Sequence, residues 1–366
     1  MAIEFADKIR RLPTYPTAGG YALGDEYAML ASNEAPYGPP SGVQEAVDRA
    51  MRNVNRYPDP SNMRLRRALA ARYDYDPGKI AIGSGSCDIL LSAAEALLEP
   101  GAEIVYAWPS FSVYPHMAAA TGARAIRVPL NAEHAHDLDA MLAEITVATR
   151  LVIVCNPNNP TSTALPLDEI SAFVEQVPRN VCVLIDEAYC EFNVLDDPDA
   201  SLDLVRRHSN VVLLRTFSKV YGLAGLRCGY ALCGDERFRV AVEQVRQPFF
   251  CNALAQAAAE EALKHQDEIT KRVEQTIAER LGLEEELRAM GLQVADAQAN
   301  FLWHSLGSNG SGDLDAEAEK AIVDGLAARK VLIRSGNALG RAGWARTTIG
   351  TPAENERFLD ALRELV

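Results

Sequence analysis

Seven short apolar runs, separated by stretches of helical period, constrain this chain more than any other feature. They fall at 80–82, 103–107, 125–128, 151–155, 181–185, 211–215 and 229–233. Their Val, Ile and Leu residues run on without polar alternation, the pattern of strands covered on both faces. Helical patterns such as 87–98 and 167–175 lie between them. Strand and helix alternating over this length predict an α/β domain, spanning 41–260, with a mainly parallel sheet.

The flanks read differently. Residues 1–40 are rich in Pro, Gly and Tyr, show no clear period, and are expected to form an arm and not a packed unit. From 256 to 290 there is no proline and a single internal glycine, Gly282, while Ile269, Val273, Ile277 and Leu281 recur at helical spacing. One long amphipathic helix, bent near Gly282, is expected there, leading into a smaller domain over 261–366. In that domain 301–303 and 331–334 read as strands, 305–313 (SLGSNGSGD) as a flexible loop and 354–365 as a closing helix.

Composition narrows the class. With 366 residues, 48% hydrophobic and 23% charged, the chain has a core to bury and is no disordered segment. No apolar run approaches the roughly 18–20 residues that cross a bilayer, and the first 21 residues hold no secretory apolar region. A cytoplasmic protein without membrane partners is expected. A net charge of −14 disfavours general nucleic-acid binding. The seven cysteines form no C-x-x-C pair and sit mostly in apolar stretches, so buried thiols are expected, with neither a disulfide scaffold nor a metal site.

Only seven of the 36 basic residues are lysines, and one stands apart. Lys219 follows the run 211–215 in Thr216-Phe217-Ser218-Lys219, ahead of a small-residue loop that ends at Arg227. α/β sheets place ligands at the carboxyl ends of their strands. An aldehyde cofactor with a phosphate tail, pyridoxal phosphate, needs an amine, an acid for its ring nitrogen, a donor for its phenolic oxygen, a stacking face and a phosphate cup. Each has a candidate after a strand. Asp186 ends the run 181–185, and Tyr189 follows three residues later. Asn159 lies in the two-proline turn Asn156-Pro157-Asn158-Asn159-Pro160-Thr161. Gly83-Ser84-Gly85-Ser86-Cys87-Asp88 opens a helix, where backbone N–H groups and the helix dipole favour an anion. Asp88 occupies the place of the third glycine of a dinucleotide fingerprint, which weakens that reading. Thr216, Ser218 and Arg227 add phosphate donors, and Phe111 offers a stacking face. Taken singly, each of these residues also has an ordinary structural role as a solvated lysine, a helix cap, a turn or a core aromatic.

On these residues, together with Ala31–Pro39 (ASNEAPYGP), Arg56-Tyr57-Pro58-Asp59-Pro60 and 215–227 (RTFSKVYGLAGLR), the chain resembles the fold-type I pyridoxal-phosphate aminotransferases, and within them the histidinol-phosphate aminotransferases. The resemblance runs from about residue 12 to the end. It implies a large domain with a seven-stranded, mainly parallel sheet, a smaller α+β domain and an N-terminal arm. It further implies that Lys219 bonds the cofactor's aldehyde and moves the proton, that Asp186 pairs with the ring nitrogen, and that Tyr189 and Asn159 hold the phenolic oxygen. Gly85, Ser86, Cys87, Thr216, Ser218 and Arg227 surround the phosphate by the same resemblance, and Phe111 stacks on the ring. Tyr57 would reach the cofactor of a second copy, implying a homodimer with shared sites. Arg346 would hold the substrate carboxylate, with Arg334, Tyr15 and Asn33 also at the substrate. The expected reaction is transamination between histidinol phosphate and 2-oxoglutarate, in histidine biosynthesis. The alternatives are an aromatic amino-acid aminotransferase with Trp108, Phe249 and Phe250 lining its pocket, a phospho-amino-acid decarboxylase, or a non-catalytic cofactor-sensing regulator. Three positions depart from the family pattern: Phe111 for tyrosine, Ser162 for glycine and Ile89 for an acid.

Overall fold

The computed structural model describes residues 3–6, 8–12, 24, 26–307 and 314–366. Twelve strands are described: β1 (Ala28–Met29), β2 (Ile80–Gly83), β3 (Glu103–Trp108), β4 (Arg124–Pro129), β5 (Thr149–Cys155), β6 (Cys182–Asp186), β7 (Val211–Thr216), β8 (Gly229–Cys233), β9 (Phe301–Ser305), β10 (Val331–Leu332), β11 (Arg334–Ser335) and β12 (Trp344–Thr348).

All seven apolar runs become strands of one sheet, in the order β2-β8-β7-β6-β5-β3-β4. Every pairing in it is parallel except those of β8, which runs antiparallel to β2 and β7. The two faces bury alternate residues. Val152, Val154, Val183, Ile185, Val211 and Leu213 enter one core, while Leu151, Ile153, Leu184, Val212 and Leu214 enter the other. A residue such as Leu213, fully buried, contributes about 1.5–3 kcal/mol by leaving water, and this drives helices onto both faces. Because β2, β3, β5, β6 and β7 point the same way, the loops that follow them gather along one edge of the sheet.

A third core lies among β9, β11 and β12, which form an antiparallel sheet in the order β11-β12-β9, and the helices Ala316–Ala328 and Pro352–Arg363. Thr351 and Glu354 start the last helix with a reciprocal capping box. Among the described residues no helix is long and apolar enough to cross a membrane.

Two expectations need correction. The long helix over 256–290 is two helices, Ala253–Ala262 and Gln266–Ala289, and the break falls at 263–265 instead of Gly282. Asp267 and Glu268 suit a new helix start, and Glu268 accepts the Ser41 N–H at 3.0 Å. Gly282 faces open space, where it lowers helix propensity without imposing a bend. Nor is 1–40 an unpacked arm throughout. β1 pairs with β10, and Ala28 and Leu30 are buried in the third core. Two strand residues leave no period to detect, so the pairing was invisible to a pattern argument. The 308–313 part of the expected loop and Tyr15 lie outside the described residues.

Candidate active site

A cavity of about 470 Å³ opens where the carboxyl edge of the large sheet meets β11 and β12. Ser86 and Cys87 follow β2, Phe111 follows β3, Asn159 follows β5, Asp186 ends β6, and Thr216, Ser218 and Lys219 end and follow β7. Asn33, Tyr189, Arg227, Arg334 and Arg346 complete the set among the residues singled out from sequence.

Lys219 is half-buried, and its Nζ donates to the Ser32 carbonyl at 3.2 Å. Burial and the nearby Arg346 and Arg227 guanidiniums lower its pKa to about 8, against an upward pull from Glu34. Asp186 lies at the bottom, 3% exposed. Its Oδ2 accepts from the Tyr114 hydroxyl at 2.8 Å and its Oδ1 from the Ala188 N–H at 3.3 Å. Burial raises its pKa to about 6 despite these bonds. A carboxylate so placed is stabilised by any cation that enters the cavity.

Gly85 has φ +77°, and a Cβ there would collide with the Arg227 guanidinium. Glycine therefore lets this arginine close over the start of the helix Ser86–Leu97. Arg227 donates to the Ser218 hydroxyl at 3.4 Å, and the Thr216 hydroxyl donates to Ser218 at 3.0 Å. Helix N-terminus, hydroxyls and guanidinium together form an anion cup.

Asn33, 1% exposed with φ 55°, donates to the Tyr189 hydroxyl at 3.1 Å. Arg346 donates to the Asn159 side-chain oxygen at 2.6 Å and to the Ala31 carbonyl at 2.5 Å. It stands directly across the β11–β12 ladder from Arg334, so two guanidiniums face one cavity from adjacent strands. Ser162 (φ 63°, fully buried) accepts the Gln298 and Ala299 N–H groups on its hydroxyl, at 3.2 and 3.0 Å. The departure from glycine thus fastens the asparagine turn to the start of β9.

Tyr57 is not brought into this cavity. It is 81% exposed and stacks on Phe249 with ring centroids 4.4 Å apart. Trp108, Phe249 and Phe250 do not line the cavity either. Sequence reasoning missed Tyr114, which reads as one more core aromatic of a helix, and the Ser32 carbonyl, which no side chain announces. It also missed Leu339, which lies in a glycine-rich turn without period.

The residues present fit pyridoxal phosphate. An amine titrating near 8 faces a buried carboxylate that lacks an ion pair among the described residues, with an anion cup beside them. On a fold-type I sheet this defines a pyridoxal-phosphate enzyme. Residues 25–362 match the model of the aminotransferases of class I and II, and the chain belongs to that family. It is 40% identical over 370 residues to an aromatic amino acid aminotransferase of Cutibacterium acnes, covering 100% of this chain and 99% of that protein. To an aromatic amino acid aminotransferase of Mycobacterium tuberculosis it is 43% identical over 334 residues, 90% of each. Among solved structures, the histidinol-phosphate aminotransferase of Sinorhizobium meliloti in complex with pyridoxal 5'-phosphate superposes with a TM-score of 0.83 at 29% identity, covering 92% of this chain and 91% of that one. The protein is a pyridoxal-phosphate-dependent aminotransferase.

Proposed function

We propose that the enzyme moves amino groups between aromatic L-amino acids and 2-oxo acids. One observation carries this over the histidinol-phosphate expectation: the aromatic aminotransferases are 40 and 43% identical, the histidinol-phosphate enzyme 29%.

When bound, pyridoxal phosphate supplies an aldehyde carbon and an electron-withdrawing ring that stabilises negative charge at the donor's Cα. The chain's own residues do the rest. Ser86, Cys87, Thr216, Ser218 and Arg227 hold the phosphate, with Gly85 giving Arg227 its room. Asp186 keeps a proton on the ring nitrogen, Tyr189 and Asn159 donate to the phenolic oxygen, and Phe111 covers a ring face. Lys219 is neutral in a substantial fraction at physiological pH, as an attacking amine and a proton carrier at Cα must be. Arg346 holds the donor's carboxylate, a geometry that bidentate guanidinium contacts fix well. Asn33 orients Tyr189. Tyr57, pointing outward, serves the site of a second copy in a homodimer.

The second reading, histidinol phosphate as donor, has its own support in Arg334 beside Arg346. A paired arginine suits a phosphate ester, and it suits the far carboxylate of 2-oxoglutarate equally. The test is a single-turnover half-reaction of the yellow enzyme with L-phenylalanine and, separately, L-histidinol phosphate, followed by absorbance. Faster conversion of phenylalanine is expected. Faster conversion of histidinol phosphate overturns the aromatic reading, and failure of the protein to take up the cofactor overturns the site assignment.

A further inference from the structure

The turn joining the two arginines, from Ser335 to Gly343, contains three glycines. Gly340 has φ +100° and Gly343 φ +79°, and a Cβ on Gly336 would collide with the carbonyls of Trp344 and Arg341. Such a stretch has much conformational freedom to lose on ordering. One carboxylate holds it. Glu319, on the helix Ala316–Ala328, is 1% exposed. Its Oε1 accepts the Asn337 N–H at 2.9 Å and the Ser335 hydroxyl, and its Oε2 accepts the Gly343 N–H at 2.7 Å. A carboxylate buried this deeply is tolerated when charge-assisted bonds surround it, and here they clamp both ends of the turn.

The middle of the turn forms part of the cavity. Leu339 lines it while packing behind on Trp303 and Trp344. Next to it, Gly340 lies so close to Trp108 that an added Cβ would sit 3.1 Å from the indole Nε1. Among the described residues Leu339 is the one large aliphatic side chain lining the cavity. In the aromatic reading the cofactor's aldehyde would take the donor's amine and Arg346 its carboxylate, and Phe111 is committed to the cofactor ring. An apolar donor side chain is left with Leu339.

We infer that this turn selects the donor: Leu339 is the apolar wall for its side chain, and Glu319 is a positioning residue that holds the wall in place. The inference rests on the aromatic reading above.

The experiment compares half-reaction rates of the loaded enzyme with L-phenylalanine and L-alanine. In Leu339→Ala the phenylalanine-to-alanine ratio falls about tenfold or more, the lower end of what one lost methylene contact in an apolar pocket is worth. In Glu319→Gln the amide presents hydrogens to N–H donors, and the same ratio falls, with KM for phenylalanine rising more than kcat falls. A purely structural Glu319 would slow both donors alike and leave the ratio where it was. If Glu319→Gln fails to fold, Leu339→Ala decides alone, and an unchanged ratio there overturns the inference. The wild-type preference for phenylalanine over histidinol phosphate tests the aromatic reading separately, so the two failures are told apart.

Discussion

Removing the Tyr114 hydroxyl tests the electrostatics of the cavity floor. Tyr114 is fully buried and donates to Asp186 at 2.8 Å, and burial holds Asp186 at about 6 while that bond pulls it down. Suppose the bond favours the carboxylate over the acid by about 1.4 kcal/mol. Tyr114→Phe then moves Asp186 from about 6 to about 7 in the cofactor-free enzyme. The folded state binds the proton more tightly than the unfolded chain, whose carboxyl titrates near 4. Stability is therefore lost as pH rises from about 4 through the folded pKa, and in the variant the loss continues to higher pH. The deficit of Tyr114→Phe relative to wild type grows by about 1.2 kcal/mol between pH 5.5 and 8. Urea unfolding of both cofactor-free proteins at those two pH values measures it. A deficit that is equal at both, or larger at pH 5.5, refutes the reasoning.

Arg215 is buried against Glu187 at 2.8 Å and also reaches Asp199 at 2.9 Å. Arg215→Leu strands the Glu187 charge and should destabilise by about 3–5 kcal/mol in urea unfolding, with adding Glu187→Leu recovering much of it. At Ser162, glycine relieves left-handed backbone strain but loses the hydroxyl acceptor, while alanine loses the acceptor and keeps the strain. Stability should fall from wild type to Ser162→Gly to Ser162→Ala, with the last near 2 kcal/mol by equilibrium denaturation, about the value of stranding one buried N–H, that of Ala299, since the Gln298 N–H keeps the Ser162 carbonyl at 2.7 Å. Cofactor capture by the apoenzyme needs a neutral Lys219, so its rate should drop as pH falls below about 8. Arg346 is one cause of the lowered pKa, so Arg346→Gln should move that midpoint upward; an unmoved midpoint counts against the placement of the two groups.

The seven strands were legible because burial on both faces leaves a local mark, a continuous apolar run between turn residues. Much of the cavity lining was legible for a related reason. Ser86, Phe111, Asn159, Asp186 and Lys219 each follow such a run, and parallel strands collect their carboxyl ends along one edge. The break at 263–265 was not legible, since Ile269 to Leu281 keep the helical period that hid it. Tyr114 could not be told from a core residue, because its hydroxyl finds Asp186 only across the packed sheet.

Residue order alone thus determined that this chain makes a covered parallel sheet and carries an amine, an acid and an anion cup after its strands. These are properties of single segments, set by side-chain period and by turn chemistry. Tertiary structure decided the strand order, the placing of Ala28 and Leu30 in the third core, the alignment of Arg334 with Arg346, and the clamp of Glu319 on the turn that carries Leu339. Each of these joins residues distant in sequence, and which distant partners meet is settled by the packing of the whole chain.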